Sequence, residues 1–205
     1  MLAALIVPVA ARRRYELGFI LALVGVGLSM VASIWSLVHV LDNGTMRYNL
    51  GGWAPPIGIE YVVDLIAAFV VVIVTSVATL VIIGTRRWAD HEAGDRLGSF
   101  YGLVMLLIAG LVGMVVTGDL FNLFVFLEIS SLAAYSLIFL GGGRAMLAGF
   151  RYLILGSVGG SFYMLGVGFL YFSTGTLNMG EMKELLTDDA TARSVQAVVL
   201  ESSFY

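Results

Sequence analysis

The sequence predicts an all-α fold, a polytopic integral membrane helical bundle, on three observations. The first is composition. Of 205 residues, 60% are hydrophobic and 12% charged, with a mean hydropathy of +0.97, whereas a soluble domain is about half apolar and about a quarter charged. The second is a set of five apolar runs, each long enough to cross a hydrocarbon core of about 30 Å at about 1.5 Å per residue. The third is the placement of basic residues, which collect in alternate gaps between the runs.

Taken in order, Leu2–Ala11 is apolar but short, reaching roughly 15 Å as a helix. Arg12, Arg13 and Arg14 follow it, whereas a signal peptide carries its positive charge before the apolar stretch. This run reads as a partial first helix. The full-length runs are Leu17–Leu41, Tyr61–Gly84, Ser99–Thr117, Leu120–Leu140 and Gly149–Phe172. A bilayer leaves no water for open backbone groups, so each is expected to be helical. Val195–Leu200 reads as the start of a partial last helix. The whole chain, 1–205, forms a single transmembrane domain in this reading.

Two connecting segments have their own character. Asp42–Glu60 contains N-L-G-G-W-A-P-P-I-G, whose glycines and paired prolines forbid a long helix and favour turns or a short hairpin. Trp53 suits an interfacial anchor. In Leu177–Leu186, Met182, Leu185 and Leu186 fall at helical spacing among charged residues, the pattern of a short helix on the membrane surface.

Orientation follows from the basic residues. Eight arginines occupy the gaps around 12–14, 85–98 and 141–151, whereas the other side has Arg47, Lys183 and Arg193. The positive-inside rule puts the eight in the cytoplasm and the N-terminus outside. The predicted location is the cell membrane.

Several function classes are excluded or left without support. There is no cysteine, which removes disulfides, thiolate metal sites and cysteine nucleophiles. His39 and His91 are far apart, and His91-Glu92 lacks the second histidine of a zinc protease motif. No metal site, cofactor-binding set or nucleic-acid-binding patch is expected, and no enzymatic active site belongs to this chain alone.

Glu128 is the strongest candidate for chemistry. It lies about 13 Å along its helix from the Asp119 end, near mid-depth. An ionised carboxyl at the bilayer centre costs about 2.5–3.5 kcal/mol on insertion scales, so such a residue faces protein or water or is protonated. Ser131 and Tyr135, at i+3 and i+7, place two hydroxyls on its face as hydrogen-bond partners. A carboxyl with hydroxyl neighbours in a low-dielectric setting is what a proton relay needs. The competing reading is a buried hydrogen bond between helices.

Asp119, in the tight Gly118–Asp119 link, reads chiefly as a helix N-cap and secondarily as a proton-transfer residue. Asn122 is placed to pair across helices. Asp64 falls in the first turn of its span, an ordinary interfacial position. The glycines of G-S-V-G-G-S-F-Y-M-L-G-V-G, residues 156–168, include Gly156-x-x-x-Gly160 and read as a helix-packing surface.

The stretch T-G-D-L-F-N-L-F-V-F-L-E-I, residues 117–129, resembles the antiporter-like subunits shared by respiratory complex I, membrane-bound hydrogenases and Mrp-type cation/proton antiporters. It is most similar to the D-type subunits of the Mrp antiporters. L-G-G-W-A-P-P-I-G-I-E with Asp64 after it, R-Y-L-I-L-G-S-V-G-G-S-F-Y at 151–163 and T-G-T-L-N-M at 174–179 agree, in the family's order. The resemblance implies that Glu128 matches a proton-transfer glutamate and that the N-terminus faces outward. It implies other membrane subunits as partners, the lipid bilayer as surroundings, and protons, with or without sodium, as the transported ions. The family pairs this glutamate with a lysine on a following broken helix. Lys183, the only lysine here, falls in the outer connector, so this chain reads as the N-terminal portion of such a subunit. A structural, non-conducting membrane subunit, or a fragment of a longer antiporter-like subunit, is the alternative.

Overall fold

The computed structural model describes residues 6–7, 15–92 and 97–187. Apart from Ile6 and Val7, the short first run Leu2–Ala11 lies outside the described residues, and so does Val195–Leu200.

Helices α1 (Tyr15–Asn43), α2 (Leu65–Glu92), α3 (Leu97–Val116), α4 (Leu120–Leu140) and α5 (Gly143–Thr174) form the bundle. All five contain stretches long and apolar enough to cross a membrane. This is the architecture expected from the five runs. Strands β1 (Met46–Asn49) and β2 (Glu60–Val63), and a short helix α6 (Met179–Thr187), lie in the connections at one end.

The helix ends follow local chemistry. Helix α1 stops at Gly44, whose φ of 84° only glycine adopts cheaply and whose N–H donates to the Val40 carbonyl at 2.9 Å. Asp64 caps α2, its Oδ1 accepting from the Ala67 N–H at 2.7 Å. This is the structural role expected of it. Several boundaries differ from expectation: α2 runs on past Gly84 to Glu92, α5 begins at Gly143 within the expected 141–151 gap, and Tyr61, Val62 and Val63 belong to β2 rather than to the second span. They are aromatic and β-branched, and hydropathy alone does not separate such a strand from the helix that follows.

A hairpin is present, but it reaches beyond the expected Asp42–Glu60 segment, since its second strand runs from Glu60 to Val63. Strand β1 pairs antiparallel with β2, Met46 opposite Val63 and Asn49 opposite Glu60. An isolated bridge joins Tyr61 to Thr117 and another joins Asp119 to Asn178. The hairpin, the α3–α4 link and the α5–α6 link are therefore sewn together by backbone hydrogen bonds at one end of the bundle.

The core sits between α1, α2 and α3, around Val26, Ile82 and Tyr101, each fully buried. Ser33 and Thr75 share a buried 2.9 Å hydrogen bond between α1 and α2. Helix α4 lies between α3 and α5. Phe126 and Ser130 form its α3 face, where Gly113 and Gly110 leave room for the Phe126 ring and the Ser130 Cβ. Close approach through small residues is how helices associate where lipid and side chain are equally apolar.

Candidate functional site

Glu128 is the ninth residue of α4, near the middle of that helix. It does not belong to the α3 face. Its side chain is half-buried and points at α5, where a Cβ on Gly160 would lie 2.6 Å from Oε1. One turn earlier on α5, Gly156 faces the Tyr135 hydroxyl, which occupies the space a Cβ would need. The two glycines expected to form a packing surface therefore receive the two polar tips of α4. They face α4 within this chain.

The antiparallel seam continues in both directions. The Phe124 and Tyr163 rings stack with centroids 6.0 Å apart, and the Tyr163 hydroxyl donates to the Leu120 carbonyl at 3.0 Å. Beyond Gly156, Tyr135 meets Tyr152 edge-on at 4.8 Å. Side chains on a helix lean toward its N-terminus. Glu128 and Tyr135 therefore lean the same way, and what relates their tips is the pair of α5 glycines they face. Gly156 and Gly160 stand one turn apart, and residues at that spacing have Cβ positions about 5–6 Å apart.

Among the described residues, no direct hydrogen bond joins Glu128 to Ser131, to Tyr135 or to α5. A seven-residue separation is about 10 Å along the axis, too far for direct bonding between Glu128 and Tyr135 unless both chains bend toward each other. Ser131 is half-buried; the neighbouring Ser130 is the buried serine, and its hydroxyl donates to the Leu127 carbonyl at 2.9 Å. Asp119 is buried and caps α4, its Oδ1 accepting from the Asn122 N–H at 2.7 Å. Asn122 does not pair across helices. Its amide donates to Thr117 Oγ1 at 2.9 Å, closing the α3–α4 link on itself.

A second polar group lies at the hairpin end, and its centre, Glu60, was not singled out from sequence. Glu60 is 6% exposed. Both its carboxylate oxygens accept from Arg47, at 3.1 and 3.2 Å, and Oε2 also accepts from Asn178 Nδ2 at 3.1 Å. Its backbone carbonyl accepts from the Gly118 N–H at 2.8 Å. Asn178 in turn caps α6, its Oδ1 accepting from the Gly180 and Glu181 N–H groups. A cavity of about 300 Å³ adjoins this cluster, lined by Arg47, Glu60, Asp64, Thr117 and Gly180 among others. A local signal for Glu60 did exist: an acidic residue opening an apolar β-branched stretch, with Arg47 in the preceding strand.

Known proteins share this architecture and much of its sequence. Residues 117–204 match the family described as NADH:quinone oxidoreductase/Mrp antiporter, TM. The chain belongs to the antiporter-like membrane subunit family. It is 46% identical over 171 residues to NADH-quinone oxidoreductase subunit N of Desulforudis audaxviator, covering 82% of this chain and 34% of that protein. It is 36% identical over 158 residues to the D-type subunit of the Na(+)/H(+) antiporter of Alkalihalophilus pseudofirmus, covering 77% of this chain and 31% of that one. A chain of the membrane-bound sulfane sulfur reductase, an archaeal respiratory membrane complex, superposes with a TM-score of 0.85 at 31% identity, covering 95% of this chain and 39% of its own length. A chain of the Mrp complex from Dietzia sp. superposes at 0.77 with 27% identity, covering 97% and 37%. The antiporter-like chain thus spans about a third of the length of the curated relatives it matches. Its similarity extends to NADH-quinone oxidoreductase and Na(+)/H(+) antiporter subunits alike.

Proposed function

We propose that this antiporter-like chain contributes to proton, or cation/proton, translocation as one membrane subunit of a multisubunit assembly, with Glu128 as a proton-transfer station at mid-membrane. One observation carries the reading. Glu128 sits mid-way along an apolar helix, yet among the described residues no hydrogen bond to a neighbouring helix compensates for burying it. A structural carboxyl inside a membrane is there to bond a partner helix, and the cost of about 2.5–3.5 kcal/mol goes unmatched without such a bond. A group that exchanges protons with water or a partner must instead stay unclamped.

In this reading Tyr135 is the hydroxyl that relays to Glu128 through an intervening water, Ser131 is a further hydroxyl on the same flank, and Asp119 is chiefly the cap of α4. In this reading the hairpin end faces outward, the arginine-bearing end faces the cytoplasm and the N-terminus is outside, an orientation that the distribution of basic residues supports. The membrane is the cell membrane. Its partners are other membrane subunits, and the ions are protons with or without sodium. The relatives' names, which specify an NADH-quinone oxidoreductase and a Na(+)/H(+) antiporter, support this class of activity.

The test is Glu128→Gln, which keeps the shape and removes the exchangeable acid. In the assembled complex reconstituted into lipid vesicles, ion-coupled proton movement is lost while the subunit still co-purifies with its partners. Unchanged transport by that variant rejects the proposal and leaves a structural, non-conducting subunit.

A further inference from the structure

We infer that Gly160 and Gly156 are positioning residues for Glu128 and Tyr135: their missing side chains set where the carboxyl and the hydroxyl come to rest. The inference rests on the proposed role of Glu128 and gives the two glycines a part beyond helix packing.

The effect is steric. Gly160 and Gly156 have ordinary helical backbone, so neither glycine is needed for its φ; only Gly142, Gly143 and Gly175 around α5 take positive φ. What the two have in common is what faces them. At Gly160 an added Cβ would meet Glu128 Oε1 at 2.6 Å and the Phe124 ring at 3.3 Å. At Gly156 it would overlap the Tyr135 hydroxyl. Their neighbours Gly159 and Gly166 on the same helix have nothing within 4 Å. On this seam Gly156 and Gly160 meet polar tips and a Cβ at Gly149 would meet the Phe139 ring at 3.0 Å, while Gly159 and Gly166 face open space.

The two contacts differ in how they can yield. The Glu128 carboxylate ends a flexible chain and can swing aside, so alanine at 160 moves the acid instead of breaking the seam. Tyr135 is a rigid, buried ring held edge-on by Tyr152, so alanine at 156 forces the helices apart. Gly160 is therefore the position where function and packing can be separated.

The experiment uses the full chain in its assembled complex, reconstituted into vesicles, with rates expressed per assembled complex. Gly160→Ala lowers proton movement about tenfold, since a displacement of about 1 Å at a reacting group costs up to about a hundredfold. Gly159→Ala stays close to wild type. Glu128→Asp in the Gly160→Ala background withdraws the carboxyl by about one bond, roughly 1.5 Å, and restores part of the lost rate, a non-additivity that contacting residues show. Should Gly160→Ala fail to assemble, joint recovery of assembly and transport by Glu128→Asp supports the contact. Wild-type rates in Gly160→Ala, or a loss that Glu128→Asp does not relieve at all, overturn the inference. An active Glu128→Gln complex instead sinks the underlying reading of Glu128, so the two failures are distinguishable.

Discussion

Asn178 Nδ2 donates to Glu60 Oε2 at 3.1 Å, a buried hydrogen bond between residues 118 positions apart. It joins the start of β2 to the cap of α6, and Arg47 completes it from β1. The bond locks the hairpin end of the bundle, where three connections converge. It is a structural device at one end of the molecule; the proposed proton chemistry lies deeper, in the α4–α5 seam.

Removing either partner leaves a buried polar group without its mate, which costs about 1–3 kcal/mol. Asn178→Ala also removes the α6 cap, worth about 0.5–2 kcal/mol. The double variant Glu60→Ala/Asn178→Ala is expected to lose less than the sum of the singles, by at least about 0.5 kcal/mol, because the two act through one bond. Thermal unfolding of the detergent-solubilised protein checks this. Arg47→Ala is also expected to destabilise the chain, because the arginine is 60% exposed but the Glu60 side chain whose charge it balances is only 8% exposed.

Asp119→Ala is expected to destabilise the chain by about 0.5–2 kcal/mol through the lost cap of α4, whereas Asp119→Asn retains an accepting oxygen and most of the stability. Both are expected to transport protons at near wild-type rates per assembled complex. Transport lost in Asp119→Asn, with stability intact, would give Asp119 a direct part in proton transfer.

The sequence made some of this legible and hid the rest for physical reasons. Helix α4 runs from Leu120 to Leu140 as read, because a capping aspartate and a run of glycines punctuate it locally. The Asp42–Glu60 hairpin was readable from its turn residues. The Tyr61–Val63 strand was not, since its apolar pattern merges with the helix after it. Glu60 carries a local signal in Arg47 on the neighbouring strand, but its pairing with Asn178, far along the chain, is reported by no local periodicity. The Gly156–Gly160 spacing announced a close helix contact, but which residues arrive there depends on the register of α4 against α5. That register exists only in three dimensions.

Packing between α3 and α4 offers a purely steric prediction. A Cβ at Gly113 would overlap the Phe126 ring, and overpacking a close contact costs about 1–3 kcal/mol. Gly113→Ala should lower the unfolding temperature. Gly27→Ala, at a position with nothing within 4 Å, should leave it unchanged or slightly raised.

The proposed orientation can be read by chemical labelling, because the chain contains no cysteine. Tyr48→Cys, exposed on the hairpin, is expected to react with a membrane-impermeant thiol reagent from outside intact cells. Arg144→Cys, at the opposite end of the bundle, is expected to react only after the membrane is opened. The reverse pattern would invert the topology.

In the proposed role Glu128 gains and loses a proton during turnover. The most direct measurement is an infrared difference spectrum of the assembled, reconstituted complex recorded as an ion gradient is applied. A carboxylic C=O band is expected to change with the gradient, shift in deuterium oxide and disappear in Glu128→Gln. A carboxylic band that persists unchanged in Glu128→Gln, alongside wild-type proton movement, would contradict that role.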